Sequence, residues 1–222
     1  MSTASAGQPS PAITSAAPLP RARSGPSAGA GRPVRFGVVG AGFIATWFAR
    51  AVAAEPAAEI VAVTSARPER AAAYAARHGV PHAHPTLEAM LAEHGPERAA
   101  PIDVIYIGSP NSLHASQAIA ALEAGYGVLV EKPFALTAAQ ARAMADTAER
   151  TGGFLMEAWQ TAFEPGAAAI RAALARLGEP RRATFVREQF SSRMSAYRAG
   201  ELPRPSTRRS AAARSWIWAS TR

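Results

Sequence analysis

The stretch that most restricts how this chain can fold is Gly40-Ala41-Gly42-Phe43-Ile44-Ala45. It stands between a short apolar run, Val34–Val39, and an amphipathic helical pattern over residues 43–54. In such a strand–turn–helix unit the first glycine permits the tight turn and the second lets backbone approach a pyrophosphate. A small residue in the place of Ala45 allows close helix–strand packing, while the helix N-terminus attracts phosphate charge. Alone, a GxGxxA pattern describes any glycine turn. What gives it weight is the order of the elements behind it.

Residues 59–63 form a second apolar run and 68–78 a second helical pattern. A weak third strand falls near 81–84, followed by a helix over 86–94. Residues 104–107 are almost continuously apolar, as expected for a parallel strand covered on both faces. A helix over 115–124 leads to a strand at 127–130. Thr137 and Gln140 have capping-box spacing at the start of a helix that runs to about residue 150. Residues 154–157 supply a sixth strand. This alternation predicts an α/β fold with a doubly wound parallel sheet, a Rossmann-like domain over residues 34–160. Beyond it, 165–177 reads as a helix and 182–190 as a first strand, so residues 161–195 are expected to begin a second α/β domain. Residues 1–33 are mostly Ala, Ser, Pro and Gly. With little apolar surface to offset chain entropy, they are expected to be disordered, or an upstream extension from a misassigned start codon.

The net charge of +8 suggests nucleic acid until it is mapped along the chain. Residues 1–33 and 191–222 together hold ten of the 24 basic residues and one of the 16 acids, leaving 14 against 15 for the segment between them. The predicted domain is near neutral, and a basic footprint on the domain is what nucleic-acid binding requires. The absence of cysteine excludes disulfides and thiolate metal sites and makes a reducing cytoplasm the expected compartment. No apolar run approaches the ~18 residues of a membrane span. Nor does an apolar segment follow Arg21 and Arg23 as a secretory or twin-arginine signal requires.

After the second strand, an acid would bind a ribose 2′-hydroxyl. Here the segment is Val63-Thr64-Ser65-Ala66-Arg67, with no acid. Ser65 and Arg67 could hold a 2′-phosphate, which favours NADP while leaving NAD possible; the plainer reading makes Arg67 a solvated loop residue. Two further motifs follow strands four and five: Ser109-Pro110-Asn111-Ser112-Leu113-His114 and Glu131-Lys132-Pro133. Both fall at carboxyl ends of strands, where open α/β sheets bind ligands. Lys132 is the sole lysine, against 23 arginines. A compact, orientable ammonium able to give up its proton, which arginine cannot, is therefore kept at this one place. His78, His82 and His84 could suggest a metal, but zinc needs three or four ligands. No cysteine or convincing carboxylate partner lies nearby in sequence, so they are read as loop histidines and no metal is expected.

Together with Phe154-Leu155-Met156-Glu157-Ala158-Trp159, these motifs resemble the Gfo/Idh/MocA family of NAD(P)-dependent oxidoreductases, and within it the dihydrodiol and aldose dehydrogenase branch. The likeness covers about residues 34–195. It implies a cofactor held by Gly40, Gly42, Phe43, Ile44, Ala45, Ser65, Arg67, Ser109, Pro110, Asn111, His114, Glu131 and Lys132. It also implies that Lys132 is catalytic, reaching both the cofactor and the substrate oxygen at the carbon that exchanges hydride. The Lys–Pro bond is often cis in that family. For His114 two readings stand equally, facing the nicotinamide ribose or capping a helix. The implied substrate is a small sugar, polyol or diol, and an intact relative could oligomerise.

The resemblance stops after Met194, where the family continues into a second domain entered by a glycine-rich stretch and Asp-x-Gly-x-His or Tyr. Residues 196–222 are instead rich in Arg, Ser, Trp and Pro, without periodicity. Read from the third base of each codon, Trp216-Ile217 forces aspartate and Trp218-Ala219 forces glycine; the other junctions from Ser206 permit the family's run. A frameshift between about residues 194 and 205 is therefore expected, leaving an out-of-frame tail on a chain that has lost its activity. The alternative is a non-enzymatic dinucleotide-binding or interaction protein that uses its basic tail as a contact segment.

Overall fold

The computed structural model describes residues 31–95, 101–177, 182, 184, 186 and 194–201. Its strands are β1 (Val34–Val39), β2 (Ala58–Thr64), β3 (His82–His84), β4 (Val104–Ile107), β5 (Gly127–Glu131) and β6 (Leu155–Ala158). All pair in parallel, in the order β3-β2-β1-β4-β5-β6. The chain starts in the middle, winds to one edge, then returns to the other side of β1. Winding therefore reverses between β1 and β4, the place where sheets of this kind open a crevice at their carboxyl edge.

The connections are α1 (Phe43–Ala53), α2 (Pro68–His78), α3 (Leu87–Glu93), α4 (His114–Glu123) and α5 (Ala138–Thr151). Each element expected between residues 34 and 158 is present, with bounds shifted by one or two residues. Thr86 and Thr137 stand just outside their helices, where their hydroxyls accept from the N–H groups of Ala89 and Gln140 at 3.1 and 3.2 Å. Gln140 reaches back to the N–H of Leu136 at 3.1 Å, one residue before the partner a capping box would give it.

Successive strand residues point to opposite faces, so an apolar run fills two cores. On one face Val38, Val63 and Tyr106 pack with Ala45 and Ala49 of α1 and Ala71 and Tyr74 of α2. On the other, Val39, Ile105, Ile107, Val128 and Val130 meet Leu87 and Met90 of α3, Leu122 of α4 and Met144 of α5. Burial of each large aliphatic side chain contributes about 1.5–3 kcal/mol. Phe48 of α1 stacks on Tyr106 with ring centroids 3.8 Å apart, fixing α1 over β4.

Two residues ahead of β1 the chain is already tied to the domain. The Arg32 guanidinium donates to both carboxylate oxygens of Asp103, at 2.6 and 2.7 Å, and Asp103 also accepts from the Arg35 N–H at 2.9 Å. Composition could not show this, because one long-range ion pair leaves no mark on a low-complexity stretch. Residues 1–30 lie outside the described residues.

Past β6, α6 (Pro165–Leu177) is present as expected, and none of its residues is buried. The strand expected over 182–190 and most of the tail from residue 202 fall largely or wholly outside the described residues. A short helix, α7 (Met194–Arg198), stands where the sequence shows no periodicity. So short an element completes little more than one turn, too little for a period of 3.6 to register.

Candidate functional site

The turn after β1 packs backbone against backbone. Gly40 has φ +99°, donates its N–H to the Thr64 carbonyl at 2.8 Å, and would bring a Cβ to 2.7 Å from the Gly108 carbonyl oxygen. Only glycine fits there. Gly42, the N-cap of α1, is different: a Cβ built on it meets nothing within 4 Å. Its missing side chain leaves an open approach to the helix end.

The first N–H groups of a helix have no partners within it. At α1 the capping glycine offers them no side chain, and the first turn holds no acid. Phe43 and Ile44 are 78% and 37% exposed, so the helix tip is open to solvent. Unpaired N–H groups and the positive end of the helix dipole together suit a phosphate. Ala45 serves packing instead: it is fully buried, and its carbonyl accepts from the Tyr74 hydroxyl at 2.9 Å.

The Thr64–Gly40 bond sets the end of β2 beside this turn. Ser65 is half-buried and Arg67 exposed, and the Arg67 N–H reaches the Ser65 Oγ at 3.4 Å. Arg67 caps α2, with Pro68 at its first position. A hydroxyl, a guanidinium and a second helix N-terminus thus stand together one strand away from Gly42.

The loops after β4 and β5 are held by one buried ring. His114 begins α4 and is fully buried. Its Nε2 lies 3.1 Å from the Ser109 carbonyl oxygen and its Nδ1 3.0 Å from that of Pro133. A neutral imidazole has one N–H and satisfies one of these carbonyls at a time. The ring ties the two post-strand motifs together, an arrangement that neither sequence reading of His114 anticipates. The Ser109 hydroxyl donates to Gln117 at 2.6 Å, Asn111 is half-buried in a single 3-10 turn, and Pro110 is exposed.

Glu131 turns inward: one carboxylate oxygen accepts from the Tyr106 hydroxyl at 2.9 Å and the other from the Lys132 N–H at 3.2 Å. Burial, reinforced by the Glu131 charge, pushes the Tyr106 hydroxyl far above its ordinary range, so it remains a donor. The Lys132–Pro133 bond is cis, as the resemblance implies. The Lys132 side chain is exposed, and its ammonium makes no ion pair among the described residues. The next loop residue, Phe134, donates its N–H to Glu157 of β6 at 2.9 Å. Glu157, Tyr106 and Gln117 support the site without having been assigned to it from sequence. The place of Glu157 at a strand's carboxyl end could have flagged it. Tyr106, inside an apolar run, gives no such signal.

The histidines need correction. His84 is buried in β3 rather than in a loop, and α3 brings both His94 and Glu93 to it. The missing carboxylate neighbour therefore exists, nine residues further on. His78 packs elsewhere, against Tyr74 at a centroid distance of 4.5 Å.

A doubly wound parallel sheet with a glycine turn and an open helix N-terminus at its switch point defines a dinucleotide-binding Rossmann domain. The chain belongs to the Gfo/Idh/MocA oxidoreductase family, whose NAD-binding Rossmann fold is matched at residues 34–158. It is 36% identical to the scyllo-inositol 2-dehydrogenase (NADP(+)) IolU of Bacillus subtilis, over 76% of this chain and 50% of that protein. It is 35% identical to the trans-1,2-dihydrobenzene-1,2-diol dehydrogenase of Sus scrofa, over 64% of this chain and 41% of that one. Among solved structures, the Bordetella pertussis WlbA dehydrogenase, in complex with NADH and UDP-GlcNAcA, is similar at TM-score 0.60 and 28% identity, over 66% and 40% of the two chains. A 3-ketoreductase from Actinomadura kijaniata, in complex with NADP and TDP-benzene, is similar at TM-score 0.58 and 33% identity, over 65% and 43%. The chain spans about half the length of the curated relatives it matches. No helix among the described residues is long and apolar enough to cross a membrane.

Proposed function

We propose that this chain is the cofactor-binding half of an NADP-preferring dehydrogenase that acts on a hydroxyl-bearing carbon of a sugar, polyol or diol. The observation that carries this is the open space in front of Gly42, at the N-terminus of α1, on the same sheet edge as Lys132. The residues present fit a dinucleotide. The bare first turn of α1 would hold the diphosphate, and Ser65 with Arg67 the 2′-phosphate. The loop of Ser109, Pro110 and Asn111 would line the path toward the nicotinamide. When bound, that group supplies the hydride donor or acceptor. Lys132 would stabilise charge on the substrate oxygen and hold or move its proton. Glu131 and His114 act through the loops that position it. The inositol and diol dehydrogenases named above support the substrate class.

Fluorescence titration of the untagged chain with NADPH and NADH tests the cofactor reading. Tighter binding of NADPH is expected, with Lys132→Ala leaving that affinity within twofold. Tighter NADH binding would remove Ser65 and Arg67 from the site. Turnover of the frame-restored protein on a panel of sugars, polyols and diols then separates an enzyme from a binding module. The out-of-frame tail belongs to the same proposal, and the DNA sequence across codons 194–205 decides it.

A further inference from the structure

The edge strand β3 carries a feature the dinucleotide site does not use. His82 and His84, two residues apart, share a face of the strand. Opposite them stands the end of α3, with Glu93 in its last turn and His94 as its C-cap. The Nε2 atoms of His84 and His94 lie 3.0 Å apart, and the His84 Nδ1 lies 3.6 Å from a Glu93 carboxylate oxygen. The His82 ring centroid is 4.9 Å from that of His94. One donor atom each from His82, Glu93 and His94 falls within 4.8 Å of the others. His84 and His94 are 6% and 2% exposed, whereas the Glu93 side chain is 60% exposed. The cluster has a buried floor and a mouth open to solvent.

We propose that this cluster binds one divalent transition-metal ion of the zinc class, held by His82, Glu93 and His94 with His84 beside them. A hydrogen bond between His84 and His94 would satisfy those two rings. That bond and the approach of Glu93 to His84 leave out His82, which converges on the same point. Imidazole with a single carboxylate suits zinc, nickel or copper rather than magnesium or calcium, which take oxygen ligands. At metal–ligand distances of about 2.0–2.2 Å, two donors of one tetrahedral ion stand roughly 3.3–3.5 Å apart. The donor atoms of His82, Glu93 and His94, within 4.8 Å of one another, reach that spacing by closing no more than about 1.5 Å. The site is structural. It clips the shortest strand of the sheet, paired only to β2 among the described residues, to the end of α3. No chemistry at the nucleotide site depends on it.

The test uses the full chain without a histidine tag, stripped with chelator, and Zn2+ alone as the probe. Calorimetry should give one saturable equivalent, and Co2+ should give the intense visible absorption of a tetrahedral nitrogen–oxygen site. His82→Asn and Glu93→Gln change side chains that reach solvent, so the apo melting temperature should hold. Each should weaken Zn2+ binding about tenfold or more. His78→Asn, on α2, should leave it unchanged. Absence of a saturable equivalent overturns the proposal, as does a Zn2+ affinity indifferent to His82→Asn and Glu93→Gln.

Discussion

Gly40 and Gly42 are two residues apart, yet a methyl group added at each meets different surroundings. At Gly40 it runs into the Gly108 carbonyl, on a backbone with φ +99°. Gly40→Ala should therefore destabilise by about 1–3 kcal/mol and lower the melting temperature by several degrees. At Gly42 the space is open, so Gly42→Val should melt like the parent and lose about tenfold or more in NADPH affinity. Thermal melts beside the nucleotide titration check both, and a Gly42→Val chain that binds NADPH normally would refute the phosphate reading. Asp103 gives a pH signature. Burial alone would raise its pKa, but the hydrogen bonds from Arg32 and the Arg35 backbone outweigh that and hold it below the usual carboxylate range. A depressed folded-state pKa contributes stability that is complete at neutral pH and disappears as pH falls through the folded value. Asp103→Asn should thus lower the melting temperature at pH 7. The gap from the parent should close on acidification well below about pH 4. A gap that stays constant across that window would mean the carboxylate charge is not what matters.

Among the described elements, α6 buries none of its side chains. Ile170, Leu174 and Leu177 recur at helical spacing and are 52%, 41% and 75% exposed, with Trp159 and Phe163 exposed just before the helix. Such a stripe ordinarily faces a core, and a contiguous exposed apolar patch favours association. Since these side chains contribute little burial here, Ile170→Glu with Leu174→Glu should leave the melting temperature within a degree or two. The pair should reduce concentration-dependent association in sedimentation or light scattering. A large fall in melting temperature would show that the stripe packs on the domain. In contrast, α4 is tied in at its first residue. His114 joins the Ser109 and Pro133 carbonyls, so the helix that follows β4 also sets the loop that follows β5.

For the molecule as a whole, the order of strands and helices was legible because each local pattern agreed with its neighbours. Apolar runs of four to six residues between helical periods permit few folds besides a parallel sheet covered on both faces. The glycine turn, the sole lysine and the two post-strand motifs likewise reside in consecutive residues, which a sequence displays directly. What it does not display is pairing across the chain. Arg32 meets Asp103, Tyr106 meets Glu131, Glu157 holds Phe134, and Glu93 with His94 faces His84. In each case the partners are brought together by the winding of the sheet rather than by spacing. Buried polar groups must find partners, but nothing in a linear pattern says which partner a fold will supply. Local chemistry therefore fixed the class of fold and the place of the proposed nucleotide site. Long-range packing chose the residues that hold the Lys132 loop, the ion pair that anchors the start of β1, and the histidine cluster on the sheet edge.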